Sequence, residues 1–334
     1  MSQLLAGFFA EAGHEVKVTT ESVGKASDSF GYQVVRQPSC RRLIGLVRWC
    51  DVYFHNNISL GSGWPLLVIP RPWVIAHQTW ICSVGGVLGW RERMKRYVLR
   101  YARNVAVSES VARMLPVAAS VIGNPYQDEL FHVMPGTARD RDLVFVGRLV
   151  SDKGVDVLLD ALKSLRDGAS LRPMVTIVGD GPEREAISQQ IRAYGLDDQV
   201  VLAGVQQGSD LVKLLNEHKI LVVPSRWKEP FGVVALEGIA CGCVVVGSAD
   251  GGLSEAIGPC GVTFPNGDSA ELAAALVPLL TSPGEIERYR SGAENHLRQH
   301  SVGSIAASYL EVFRDVVENR EHRRLGYVRR VSAS

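Results

Sequence analysis

Between Ile220 and Gly247 the chain passes from an unbroken apolar run, ending at Pro224, into a polar loop from Ser225 to Pro230. A helix-like segment follows from Gly232 to Ala240, and a second apolar run spans Val244 to Val246. Short β-branched runs bounded by Pro and Gly predict buried strands, so this stretch predicts strand, loop, helix and strand. The same alternation recurs upstream. Leu143–Val146, Val175–Val178 and Val200–Ala203 predict strands; Val155–Leu165 and Leu211–Asn216 predict helices. Glu217-His218-Lys219 reads as a polar corner, and helices from Ala270 onward close the segment. The first third begins with a predicted helix, Ser2–Glu11, capped by Ser2 and ended by Gly13. Strands are predicted at Glu15–Thr20, Tyr32–Arg36, Asp51–His55, Leu66–Ile69, Trp73–Ala76, Asn104–Ser108 and Ala119–Ile122, with a helix over Glu109–Leu115. Strands alternating with helices predict an α/β protein.

A chain of 334 residues is long for one core. The Gly- and Pro-containing polar stretch Pro135–Arg141 reads as a linker, which sets a first domain over 1–135 and a second over 142–303. Ile305, Tyr309, Val312, Phe313 and Val316 recur at helical spacing, predicting a helix with one buried face over 304–319. The tail 320–334 is basic with few apolar residues and reads as disordered. A net charge of +1 supplies no global attraction for nucleic acid. The six cysteines, Cys40, Cys50, Cys82, Cys241, Cys243 and Cys260, contain no C-x-x-C pair and read as reduced thiols of a cytoplasmic protein. No apolar span is long enough to cross a bilayer. Val178-Gly-Asp-Gly-Pro182 hints at a dinucleotide fingerprint, which fails because Arg184 holds the third glycine position.

Candidate chemistry gathers at three places. A strand and loop feeding a helix leave the amides of Phe231, Gly232 and Val233 pointing at an anion, aided by the helix dipole. Glu229 and Glu237, eight positions apart on either side of that anion site, suit uncharged hydroxyls. In Gly147-Arg-Leu-Val-Ser-Asp-Lys-Gly154, Arg148 and Lys153 follow a strand end and suit a diphosphate. His77 ends an apolar strand, where open α/β sheets bind ligands; the plainer reading is a hydrogen-bonded structural histidine. The segment Val87–Arg103 reads as a helix with Arg91, Arg93, Lys95, Arg96, Arg100 and Arg103 interleaved with Trp90, Met94, Tyr97 and Val98. It is either a solvated helix or a patch resting on anionic lipid.

Glu229-Pro-Phe-Gly-Val-Val-Ala-Leu-Glu237, with VVPS before it and GCVVVGSADGGLSEAI after it, resembles the E-x7-E motif of the retaining glycosyltransferases of family 4, which have the GT-B fold. GRL…KG at Gly147–Gly154 and the Gly123-Asn-Pro-Tyr126 corner resemble the same family. The resemblance implies two Rossmann-like domains facing across a cleft and transfer of a sugar from a nucleotide sugar to an acceptor hydroxyl with retention. It assigns the diphosphate to Arg148, Lys153 and the helix amides, the ribose to Glu237, and the donor sugar to Glu229. It makes His77 a cleft residue and implies no metal, since no Asp-x-Asp pattern lies near these motifs. The expected partners are a nucleotide sugar and a saccharide or lipid-linked acceptor in bacterial envelope synthesis, with no nucleic acid. The expected location is the cytoplasm or the inner face of the membrane, touched through the Arg91–Arg103 helix. A non-catalytic nucleotide-sugar binder, or an epimerase or phosphorylase on the same fold, are the alternatives. In the family a strand and a glycine-rich loop precede the first helix, so the chain is expected to be shortened at its N-terminus.

Overall fold

The structure is a computed structural model that describes residues 1–24, 30–81 and 89–331, with side chains to residue 319. The chain divides into two compact units, one of Met1–Asn124 with the segment from Val302 onward, the other of Pro125–Ser301.

The first unit contains β1 (Lys17–Thr20), β2 (Gln33–Arg36), β3 (Tyr53–Asn56), β4 (Trp73–His77), β5 (Arg103–Ala106) and β6 (Ala119–Val121). β3, β4, β5 and β6 form one parallel sheet in that order, while β1 and β2 form a separate parallel pair. Leu5 and Phe9 of the Ser2–Glu11 helix share a core with Val74, Ala76 and Val105 of the sheet. Ile305, Tyr309 and Val312 of the final helix, Val302–Val331, enter the same core. That helix continues through residues 320–331, where composition alone predicts disorder. Extending a formed helix costs far less than nucleating one, and Arg and Leu are good helix formers.

Three local expectations change here. Met1, not Ser2, occupies the cap position of the first helix, and the Ser2 hydroxyl instead accepts from Asn56 Nδ2. Leu66–Ile69 is not a strand: a 3-10 turn runs from Trp64 to Leu67 with Pro65 in its first turn, and Leu67 and Val68 are exposed. The basic helix runs Trp90–Val98 and tightens to a 3-10 turn at Leu99–Tyr101; its expected start at Val87, like Cys82, lies outside the described residues.

The second unit holds β7 (Arg141–Val146), β8 (Val175–Val178), β9 (Val200–Gly204), β10 (His218–Val223), β11 (Val244–Ser248) and β12 (Gly261–Phe264). They form one parallel sheet ordered β12-β11-β10-β7-β8-β9. The core unites Leu143, Val175, Ile220 and Val244 of the sheet with Leu158, Leu162, Leu272 and Leu276 of the Val155–Ala169 and Ser269–Thr281 helices. Unbroken apolar runs are what a parallel sheet covered on both faces requires.

The predicted polar corner at His218 is the buried first residue of β10. Its ring is paired at both nitrogens, with Thr176 Oγ1 at 2.8 Å and the Leu214 carbonyl at 2.6 Å. Burial pushes its pKa down, which keeps the ring neutral. Residues 125–135, placed in the first domain by the linker reading, belong to the second unit. Asn216 explains this: its side chain accepts from the Met134 amide at 2.8 Å and donates to the His132 carbonyl at 3.0 Å. Arg139, in the expected linker, donates to the carbonyls of Leu215, His218 and Cys241. It ties off the ends of the Gly208–Glu217 and Val233–Ala240 helices, whose last carbonyls lack helical partners.

Candidate functional site

In the second sheet β7 lies between β8 and β10, and the strand order reverses there. Open α/β sheets form a crevice at such a reversal, beyond the carboxyl ends of the strands. The loops leaving β7 and β10 both empty into it. The first, Gly147–Gly154, closes with a 3-10 turn at Ser151–Lys153 and a left-handed Gly154 at φ 68°. A Cβ on Gly154 would stand 2.0 Å from the Pro224 carbonyl oxygen, so glycine is what allows the two loops to meet. The Asp152 carbonyl then accepts from the amides of Arg226 at 2.9 Å and Trp227 at 3.1 Å.

This clamp brings Lys153 Nζ to 2.6 Å from Glu229 Oε1, across 76 residues of sequence. The Ser225 hydroxyl donates to the same oxygen at 2.8 Å, and Glu229 is only 9% exposed. The Glu229 backbone is also held: its carbonyl accepts from Gly252 at 2.7 Å, and it bridges to Gly251. Asn266 completes the support by donating to the Ser225 carbonyl and accepting from the Asp250 amide. Oε2 of Glu229 has no hydrogen-bond partner among the described residues, so the carboxylate is fixed in place with one acceptor to spare.

Two residues on, the helix Val233–Ala240 begins after Gly232, left-handed at φ 105°. The amides of Phe231, Gly232 and Val233 donate to no backbone carbonyl among the described residues, as the first amides of a helix ordinarily do not. Phe231 is buried against His300, ring centroids 5.5 Å apart, which anchors the turn. Glu237 lies in the body of the helix. Burial pushes its carboxyl up to about 7 from the usual 4.5, and it makes no ion pair among the described residues. Arg148 is exposed at the β7 exit. The structure therefore gathers Arg148, Lys153, Glu229, Phe231, Gly232, Val233 and Glu237 in one unit, on two loops and the helix that follows.

His77 is the exception. It belongs to the first unit and is 1% exposed, with Nε2 at 2.9 Å from Asn104 Oδ1. Asn104 in turn donates to the carbonyls of Leu99 and Ala102. Burial lowers the ring's pKa, and the Asn104 bond partly opposes this. Enclosure and the Asn104 bond fit the structural reading of this histidine, while Nδ1 has no hydrogen-bond partner among the described residues.

Ser225, Asn266 and the Asp152 carbonyl were not singled out by sequence reasoning. Ser225 had a signal, a polar residue ending a buried strand. Asn266 had none, because its partners lie 16 to 41 residues away along the chain. Among the described residues no group of His, Cys, Asp or Glu could hold a metal. Burial pushes Cys241 up to about 12 and Cys243 and Cys260 to about 11, so these thiols stay protonated.

The switch-point crevice thus presents cationic side chains and the N-terminus of a helix, the chemistry that suits an anion. The family profile "Glycosyl transferases group 1" matches residues 128–296, just over half of the chain, and the chain belongs to that family. The match coincides with the second unit. Among curated relatives, a D-inositol 3-phosphate glycosyltransferase of Salinispora tropica is 34% identical over 54% of this chain and 39% of its own. A 2-deoxystreptamine N-acetyl-D-glucosaminyltransferase of Streptomyces fradiae is 31% identical over 59% of this chain and 51% of its own. The matched region thus spans about 40–50% of these relatives. Among solved structures, a glycosyltransferase from Rickettsia africae superposes with TM-score 0.76 at 17% identity, covering 95% of this chain and 94% of that one. HepE from Anabaena in complex with UDP-glucose gives 0.74 at 19% identity, covering 93% and 95%. These likenesses establish the fold, α/β with parallel sheets as in GT-B glycosyltransferases.

Proposed function

We propose that this protein transfers a sugar from a nucleotide sugar to an acceptor hydroxyl with retention, as a member of glycosyltransferase family 4. The observation that carries the reading is the Lys153–Glu229 pair at 2.6 Å beside an unoccupied row of helix amides. A nucleoside diphosphate leaves with developing negative charge. Lys153, Arg148 and the amides of Phe231, Gly232 and Val233 meet that charge without a metal. Oε2 of Glu229 accepts from donor-sugar hydroxyls, and Glu237 accepts from the ribose diol. With Oε1 of Glu229 already bound to Lys153 and Ser225, the carboxylate serves better as an anchor than as a nucleophile. The departing phosphate oxygen then takes the acceptor's proton on the same face.

The acceptor is a saccharide or lipid-linked saccharide of bacterial envelope synthesis. Trp90, Met94, Tyr97 and Tyr101 are exposed on the basic helix and the turn after it, at spacings of one helical face. Arg100 lies 3.9 Å from the Tyr97 ring centroid. Aromatic and basic residues exposed together suit the surface of an anionic bilayer, with the protein on its cytoplasmic side. No helix among the described residues is long and apolar enough to cross a membrane.

A second reading, a nucleotide-sugar binder without transfer, draws support from the divided sheet of the first unit. One experiment separates the two. The protein is incubated in chelator with UDP-, GDP- or ADP-sugars and mixed saccharide and polyprenyl-linked acceptors. Acceptor-dependent release of nucleoside diphosphate, lost in Glu229→Ala while nucleotide binding persists, is the expected result. Binding with no acceptor-dependent product supports the second reading, and activity that returns only with magnesium removes the metal-free mechanism.

A further inference from the structure

The mechanism leaves one buried charge unused. Arg139 is half-buried, and burial pushes its pKa down, yet a guanidinium keeps its proton. A cation taken out of water is ordinarily paired with a carboxylate. Arg139 forms no ion pair among the described residues. Its Nη1 donates to the carbonyls of Leu215 at 3.2 Å and His218 at 2.5 Å, and its Nη2 donates to that of Cys241 at 2.6 Å. The neighbouring Cys241 and Cys243 thiols stay protonated and bring no negative charge. What answers the guanidinium is the negative end of two helices: Leu215 lies in the last turn of Gly208–Glu217, and Cys241 is the C-cap of Val233–Ala240. We propose that Arg139 is a positioning residue for the anion site: seated on the last carbonyl of the Val233–Ala240 helix, it cancels that helix's negative pole and so strengthens the pull of the opposite end on a diphosphate. The inference rests on the reading of the crevice as a nucleoside diphosphate site.

Three observations support this. The first is the length of the helix. Its 8 residues span about 12 Å. In so short a helix both poles act on an anion held at the first amides, and the negative pole, roughly half an elementary charge, opposes the positive one. A full positive charge at the C-cap carbonyl more than offsets it. The path between the two ends is dry, because Ala235, Leu236 and Ile239 are buried, so water screens the charge little. The second is the seat. Gly242 follows the helix at φ 86°, and a Cβ there would stand 2.6 Å from Arg139 Nη2. Glycine leaves the room that the guanidinium fills.

The third is a contrast with Arg290, which reaches the same turn. Its Nε donates to the Gly242 carbonyl at 2.9 Å, but its Nη1 is paired with Glu287 Oε1 at 2.7 Å. The charge of Arg290 is therefore neutralised where it stands, and its role at the turn is that of a hydrogen-bond donor. Arg139 makes equivalent bonds and keeps its charge. The segment that carries it is also fixed in the second unit, since Asn216 holds Met134 and His132 just upstream. A fixed and unneutralised cation behind an anion-binding helix adds to the potential at the helix amides without touching the ligand.

The test titrates the full chain with UDP, GDP and ADP, and with uridine, guanosine and adenosine, by calorimetry and NMR. A nucleoside has no diphosphate for the helix to attract, so it reports loosening of the fold alone. Arg139→Met is expected to weaken binding of the diphosphate about five- to tenfold, the order that Coulomb's law gives over roughly 15 Å at an effective dielectric constant of about 20. Affinity for the matching nucleoside is expected to change by less than about twofold, and Arg139→Lys, which keeps the charge, is expected to restore most of the diphosphate affinity. Val133→Glu is a second variant that leaves the Arg139 hydrogen bonds in place. Val133 is exposed, and its Cγ2 lies 3.5 Å from the point where a Gly242 Cβ would stand, so a carboxylate there neutralises Arg139. It is expected to weaken the diphosphate about two- to threefold, and Val133→Gln is not. Equal losses of diphosphate and nucleoside in Arg139→Met would overturn the proposal, as would Arg139→Lys binding no better than Arg139→Met. Unchanged diphosphate affinity in both Arg139→Met and Val133→Glu would overturn it too. A wild-type protein that binds none of the three diphosphates would overturn the reading of the crevice itself, and this proposal with it.

Discussion

Two sheets of this protein differ in one respect that matters. The second unit has six strands in one unbroken parallel sheet, while the six strands described in the first fall into four and two. In the second unit the reversal between β7 and β10 is bridged by direct pairing, Ile220 against Leu143 and Leu221 against Val144. That pairing puts two loop starts side by side, and the site follows from it. In the first unit residues of β1 and β3, strands of two separate sheets, line a groove. In this protein the candidate site lies where the strands beside the reversal are paired. The loops leaving those strands are then close enough for their side chains to pair, as Lys153 and Glu229 do at 2.6 Å.

The comparison can be broken most forcefully at Gly154. Replacing it with Val forces a Cβ toward the Pro224 carbonyl and strains a left-handed backbone. A loss of about 3–5 kcal/mol is expected in urea unfolding, together with nucleotide binding. Gly7 in the first unit is the counterpart: a Cβ there meets nothing within 4 Å, so Gly7→Ala should gain about 0.5–1 kcal/mol. A tolerated Gly154→Val would show that the two loops need not touch.

Asn104→Ala tests the first unit's own network. It removes the bonds to the His77 ring and to the Leu99 and Ala102 carbonyls and should cost about 2–3 kcal/mol of that unit's stability. Nucleotide affinity, measured by calorimetry, should not move. A selective loss of turnover at full stability would return His77 to the chemistry.

Arg148→Ala and Lys153→Ala should each weaken UDP, GDP or ADP binding by about 1.5–3 kcal/mol, the worth of a charge-assisted contact. Lys153→Ala should also loosen Glu229, which it holds at 2.6 Å. Unchanged affinity in both variants would remove the diphosphate from this crevice.

The smallest effect is a pH dependence at Glu237. Its folded carboxyl titrates at about 7 against an ordinary 4.5. The unfolded chain ionises first as pH rises, so the stability tied to this group is fully present below pH 4.5 and is lost on the way to about 7. The change should be about 1–2 kcal/mol, less than the full shift implies because water reaches part of the side chain. Glu237→Gln should flatten that slope. Nucleotide binding should release a proton near neutral pH, because ribose hydroxyls favour the carboxylate. A slope that survives Glu237→Gln, or binding without proton release, would separate Glu237 from the ribose.

What the sequence alone determined was local. Apolar runs such as Leu143–Val146 and Ile220–Val223 announce buried parallel strands, because a strand covered on both faces has no polar side. The glycines, cations and carboxylates around them mark the site, because the chemistry of an anion crevice is carried by few residue types at strand ends. Tertiary structure decided the rest. Whether His77 faces a ligand or Asn104 depends on a residue 27 positions away. Whether residues 125–135 join one unit or the other depends on Asn216, and whether His218 is a corner or a strand depends on Thr176. Leu66–Ile69 had the composition of a strand, but Pro65 lies in the first turn of a 3-10 helix that runs from Trp64 to Leu67. In each case a short segment had two acceptable local states. For His77, residues 125–135 and His218 the choice was made by a hydrogen bond from a distant part of the chain, and for Leu66–Ile69 by a neighbouring proline.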